Sequence, residues 1–356
     1  MSAYSRRPER GDRRHPRRRR RWTLALTTTA ALLLAISVDR LALGAETAPR
    51  TGPLMGTDAT TVRAAAEKAS AADSTRTGQG THFDSMGAPY GGCGIPQERL
   101  ESAHFVALNV WNTPGDATPE PTPRPAPAGQ SARIGEWNNG HNCGRWVEVK
   151  IGDFCEGVND GAIDRAFCQG GRWVTDRYNG ATLNLLVADS CGDPNGWCRN
   201  DPHHLDLSTG SLNSFVKGGA PVADLYPAHW GNRKIEWRYV EAPGYSGDIR
   251  ITFMKDAQPY WPALSVSRLP NGIHGVQYLS AGTWKDAPMN SDMGQSFIPQ
   301  PTTPGGTTFT LRVVDAADRL LAAGRTYTFD LPAQCRAGCP TTAVEATYRT
   351  GTSTAS

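Results

Sequence analysis

The stretch Asp201-Pro-His-His-Leu-Asp-Leu-Ser208 packs two histidines, two acids and a hydroxyl into eight residues. Leu205 and Leu207 alternate with His204, Asp206 and Ser208, the period of a half-buried strand. Both leucines then face a core, and His204, Asp206 and Ser208 share the opposite face. The adjacent His203 and His204 point opposite ways on a strand and do not easily share a metal ion. Periodicity alone leaves Asp206 open between two roles. It is either a strand-end acid bonded to a turn, or a carboxyl in a sugar-binding cleft that desolvation keeps protonated.

The same texture spreads outward from this stretch. "THF" (81–83), "HFVALN" (104–109), "WVEVKI" (146–151), "TLNLLVAD" (182–189) and "IEWRYVEA" (235–242) read as strands. The Pro-rich segment 113–130 is too long for an ordinary turn and reads as a surface loop inserted among them. "SLNSFVKGG" (211–219) predicts a short helix ended by Gly218–Gly219. "EAPGYSG" (241–247) is a linker. Beyond it, "DIRITFMK", "PALSVSRL", "VQYLS", "TFTLRVVDA" and "TYTFDL" alternate between turns, which predicts a β-sandwich. The tail, 341–356, is polar and expected to be loose. With 38 glycines and 26 prolines, turns and short strands are favoured over long helices throughout.

The formal net charge of +3 does not signify a basic binding surface. Eleven arginines and three acids fall in residues 1–45; without them 26 basic residues face 31 acidic ones. No nucleic-acid or anionic-membrane patch is implied. "RRHPRRRRRW" (13–22), the apolar run Trp22–Val38 and "LALGA" (41–45) read as a signal peptide cleaved after Ala45, leaving no membrane association. A signal anchor is the alternative, and twin-arginine export is compatible with the arginine run. Residues 46–77 form a disordered lead-in with a possible short helix at 62–70. A secreted, extracellular location follows.

Export fits the cysteines, Cys93, Cys143, Cys155, Cys168, Cys191, Cys198, Cys335 and Cys339, whose even number argues for disulfides. No CxxC pair is present, so zinc is improbable, and no other metal or cofactor is expected. Neither GxSxG nor HExxH occurs, which argues against an α/β-hydrolase or a zincin. Asp189 ends the most apolar strand where it enters a loop, a common position both for a site acid and for a cap. Tyr260 and Trp261 are adjacent between prolines, so on a strand at least one ring is exposed, as in stacking on pyranose faces.

The ordered set of motifs resembles the expansin family over most of residues 78–332. "GQGTHF" (78–83) resembles its opening strand, and "YGGCGI" (90–95) its Gly-Gly-Ala-Cys-Gly signature. "CGRWVEVK" (143–150), "VADSC" (187–191), "HLDLS" (204–208) and "IEWRYVEAP" (235–243) follow in family order. "QPYWPALSV" (258–266), "GTWKDAPM" (282–289) and "FTLRVVDA" (309–316) resemble the carbohydrate-binding second domain. The resemblance implies an all-β chain: a six-stranded double-psi β-barrel over 78–240, then an immunoglobulin-like β-sandwich over 248–340. It places Asp206 on the essential groove aspartate, Asp189 on a second groove aspartate and Thr81 on the first-strand threonine. Tyr260 and Trp261 fall on the paired platform aromatics and Lys255 near a basic residue, and His204 and Ser208 flank Asp206 as substrate-binding residues. The expected disulfides are Cys93–Cys143, Cys155–Cys168, Cys191–Cys198 and Cys335–Cys339.

Departures from the family pattern matter. Trp146 stands for a cysteine, Cys191 for a groove tyrosine, and Met293 where a third platform aromatic is expected; Trp284 is read as packing. Related endoglucanases take a base from the first strand. Here the nearest acid is Asp84, whose odd offset from Thr81 turns it to the opposite face if the strand stays regular. The first reading is therefore a monomeric, non-hydrolytic protein that loosens cell-wall polysaccharide: cellulose, xylan, chitin or peptidoglycan. A peptidoglycan lytic transglycosylase using one acid, and a plain carbohydrate-binding protein, are the alternatives. The acidic mature surface disfavours acidic walls such as pectin.

Overall fold

The computed structural model describes residues 74–113, 128–159, 167–192, 196–290 and 294–352. The signal peptide, the lead-in up to residue 73 with its short helix, most of the Pro-rich loop, and Met293 lie outside the described residues; the last residues of the expected lead-in, Arg76 and Thr77, are instead paired in a strand with Trp237 and Glu236.

Six strands close a barrel. They are β1 (Arg76–Phe83), β2 (Phe105–Asn109), β3 (Trp146–Ile151), β4 (Thr182–Cys191), β5 (Leu205–Ser208) and β6 (Lys234–Val240). Their order is β2-β5-β1-β6-β3-β4, and β4 pairs back onto β2. The β1–β5 and β2–β4 pairs are parallel, and the others are antiparallel. Closure removes every sheet edge. Val106, Leu108, Val147, Val149, Leu185, Val187, Leu205, Leu207 and Ile235 fill the interior, each essentially inaccessible. Gly78 pairs with the core residue Ile235, and a Cβ there would stand 2.3 Å from the His203 carbonyl oxygen. That contact explains a glycine inside a strand. Arg76 closes one end, its guanidinium 4.9 Å from the Trp237 and Tyr239 rings and its Nε donating to Glu136 at 2.7 Å.

After β5 the structure departs from the expected helix. A 3-10 helix spans Thr209–Ser214, and Gly218–Gly219 instead make the turn of a hairpin between Val216–Lys217 and Ala220–Pro221. Both glycines have positive φ, which that tight turn requires.

The second half is an antiparallel sandwich. One sheet orders Ser296–Phe297, Leu264–Ser267, Arg250–Phe253 and Val344–Glu345. The other orders Thr283–Asp286, Gly275–Ser280, Thr308–Val314, Arg325–Asp330 and Arg349–Thr352. Phe253, Phe309 and Phe329 pack ring on ring between the sheets. The tail is not loose up to Thr352: it supplies a strand to each sheet, and Val344 and Ala346 are buried. Its polar side chains mark exposed strand faces, which composition alone does not separate from disorder. All four expected disulfides are present. No helix among the described residues is long and apolar enough to cross a membrane.

Candidate functional site

The barrel register brings the predicted acids together. Thr81 on β1 lies beside Asp206 on β5, Asp206 beside Ala107 on β2, and Ala107 beside Asp189 on β4. The four form one lateral row on the outer face. Val106 pairs with Val187 but Ala107 with Asp189, so Ala188 is an extra residue in β4. This bulge turns Asp189 outward, where strict alternation from Leu185 and Val187 would have buried it. Asp206 and Asp189 are thus two strand spacings apart, about 9–10 Å between Cα atoms. The Asp189 Oδ1 accepts the backbone N–H of Gly92 at 2.5 Å and of Ser190 at 2.8 Å.

Of the face that His204, Asp206 and Ser208 share, only Asp206 reaches the surface. His204 is 0% exposed and Ser208 2%, which corrects the expectation that they contact substrate. Ser208 Oγ accepts the Phe105 N–H at 3.4 Å. His204 works from beneath. Its Nε2 lies 2.7 Å from Thr81 Oγ1, which in turn lies 2.7 Å from Asp206 Oδ1. Its Nδ1 lies 2.9 Å from Asn109 Oδ1.

Counting hydrogens along this chain fixes its chemistry. Asn109 directs its NH2 at two carbonyls, Trp197 at 3.2 Å and Asp201 at 2.7 Å, so its oxygen faces His204 and Nδ1 must carry a hydrogen. Complete burial pulls the His204 pKa down to about 3, so the ring is neutral, with a bare Nε2 toward the Thr81 hydroxyl. Thr81 Oγ1 donates to Asp206 Oδ1, which ties the surface acid to the buried His204.

This burial has a stability signature. The folded pKa of His204 lies below its ordinary 6.5, so below that pH the unfolded chain binds a proton that the folded chain excludes. Stability falls as pH drops, by up to about 1.4 kcal/mol per unit, until about pH 3. His204→Gln is expected to flatten that dependence, measured by denaturant unfolding at successive pH values. A slope equal to wild type would contradict it.

His203 points the other way. Its Nδ1 lies 3.3 Å from Glu136 Oε1. His204 instead gathers with Cys191 and Cys198, whose sulfurs are bonded to each other and so are not thiolate ligands. Asp84 lies just past the end of β1 at Phe83, so the regular-strand face assignment does not reach it. It is exposed, and its Oδ1 accepts the Thr209 hydroxyl at 2.9 Å.

On the sandwich, Tyr260 and Trp261 sit in a tight turn closed by reciprocal bonds between Gln258 and Trp261, not on a strand. Tyr260 is 79% exposed, while Trp261 packs partly against the sandwich core. Trp284 is half-buried under the Arg312 guanidinium, 4.4 Å from its ring, in keeping with packing. Lys255 is exposed, and its backbone N–H donates to Tyr90 Oη at 2.6 Å. Further bonds dock the two halves: Gly294 N–H to the Gly92 carbonyl at 2.8 Å, and Arg268 N–H to Glu101 at 2.6 Å. Burial pushes the Glu101 carboxyl up, against the lowering effect of that bond and of the Arg268 charge. Sequence reasoning missed Asn109, which orients His204, and Tyr90; an isolated Asn or Tyr in a strand or loop gives no signal of either task.

No family model matches the chain, and no curated protein matches it. Among solved structures, an apo expansin of Clavibacter michiganensis is 16% identical, with a TM-score of 0.42, over 70% of this chain and 89% of that one. A mutant of the Clavibacter michiganensis expansin in complex with cellohexaose is 15% identical, with a TM-score of 0.41, over the same shares. At such identity and TM-score the site has to be read from its own geometry.

Proposed function

We propose that this chain is an exported expansin-like protein that binds a neutral cell-wall polysaccharide, cellulose or a related glycan, and loosens it without hydrolysis. The observation that carries the reading is the outer-face row of Thr81, Asp206 and Asp189, in which Asp206 is tied through Thr81 to the buried His204. Asp206 hydrogen-bonds a glycan hydroxyl and competes with a hydrogen bond between chains, each worth about 0.5–1.5 kcal/mol net. Thr81 positions Asp206, and His204 holds Thr81 in place.

Bond cleavage by inversion needs a second carboxyl free to activate water. Asp189 Oδ1 already accepts two backbone N–H groups, and Asp84 accepts from Thr209. Both arrangements favour loosening over hydrolysis. Four disulfides suit an oxidising compartment outside the cell.

Pull-down of the full chain against cellulose, xylan, chitin and peptidoglycan tests the binding half. Tyr260→Ala removes a ring that is 79% exposed and is expected to weaken retention about tenfold at little cost in stability. Retention on none of the four polymers, or retention indifferent to Tyr260, would sink the reading.

A further inference from the structure

We infer that Tyr90 is a sugar-stacking subsite joining the barrel groove to the Tyr260 turn, and that its ligand is a neutral glycan chain long enough to cover both. The inference rests on the polysaccharide-binding reading and extends it to a residue in the "YGGCGI" segment.

Tyr90 belongs to the barrel by its backbone and to the sandwich by its hydroxyl. Two residues on, Gly92 N–H holds the groove acid Asp189 at 2.5 Å. Its own Oη accepts the Lys255 N–H at 2.6 Å and donates to the Thr342 carbonyl at 3.0 Å. Lys255 lies five residues before Tyr260. Tyr90 thus lies between the Gly92 support of the groove acid Asp189 and the Lys255 segment that leads into the Tyr260 turn.

The hydroxyl is saturated by the sandwich backbone, so what Tyr90 still offers a ligand is its ring, which is only partly buried. Burial pushes the phenol up, with the Lys255 bond opposing, so the group stays a neutral O–H donor. The ring is also held in place. The Gly92 carbonyl accepts Gly294 N–H at 2.8 Å, and the next residue, Cys93, is crosslinked to Cys143. A pre-placed ring loses little entropy on stacking. The Asp256 charge acts on Tyr90, and Asp189 is held two residues on at Gly92, which disfavours an anionic glycan.

Calorimetric titration of the full chain with cellohexaose and cellotriose tests this. Tyr90→Phe keeps the ring and is expected to bind cellohexaose within about twofold of wild type. Tyr90→Ala is expected to lose about tenfold for cellohexaose and nothing for cellotriose, which is too short to span both domains. Equal losses in the Phe and Ala variants would assign the effect to the hydroxyl's docking bonds and overturn the inference. So would a Tyr90→Ala chain with wild-type affinity for cellohexaose. A wild-type chain that binds neither oligosaccharide removes the polysaccharide-binding reading itself, a result distinct from either Tyr90 outcome.

Discussion

Asp206→Asn is expected to abolish wall loosening while leaving polysaccharide binding within about twofold of wild type. The substitution is isosteric and keeps a group beside Thr81. It replaces an ionisable carboxyl that accepts the Thr81 hydroxyl with a neutral amide that can neither take up nor release a proton. Binding energy resides elsewhere, in stacked rings such as Tyr260, so affinity should survive. Extension of a heat-inactivated wall strip under constant load reads the loss. An Asp206→Asn chain that still drives creep would show that the acid only shapes the groove.

Gly140→Ala is expected to cost about 3 kcal/mol or more and to weaken polysaccharide binding. Gly140 has φ of +89°, and a Cβ there would fall 2.3 Å from the Gly294 Cα across the boundary between barrel and sandwich. The reverse contact, a Cβ on Gly294, would lie 2.5 Å from the Gly140 Cα. Neither backbone can yield without parting the two halves, and an alanine in left-handed backbone adds about 1–2 kcal/mol. The Gly92–Gly294 bond lies at the same boundary, so undocking would also misalign Asp189 with the Tyr260 turn. Urea unfolding checks the first effect and pull-down the second. A variant unfolding at the wild-type midpoint would contradict the close approach.

Much of this architecture was legible from period-two patterning. The six barrel strands appear at the segments read as strands, although Phe105–Asn109 is buried along its whole length and β1 begins at Arg76, two residues before the expected barrel start. Leu205 and Leu207 do face the core, and Asp206 does face out. The same alternation misleads at His204 and Ser208, which share Asp206's face but are roofed by Asn109, Trp197 and the 3-10 turn; periodicity gives a face, not its exposure. Asp189 is the reverse case. Alternation points it inward, and a single inserted residue at Ala188, invisible in composition, turns it out. Tyr260 and Trp261 read as strand residues, yet a turn closed between Gln258 and Trp261 carries them. Tyr90 and Asn109 act through long-range partners, 165 and 95 positions away in sequence, and local sequence does not encode such pairings.

On the proposed reading a single groove acid, Asp206, loosens a polysaccharide without cutting it. The direct test follows wall extension under load while assaying the medium for reducing ends and for anhydro-muropeptides. Creep with neither product above the no-protein control is the predicted result. Reducing ends released from cellulose, or anhydro-muropeptides from peptidoglycan that vanish in Asp206→Asn, would show that this acid breaks bonds and would contradict the account.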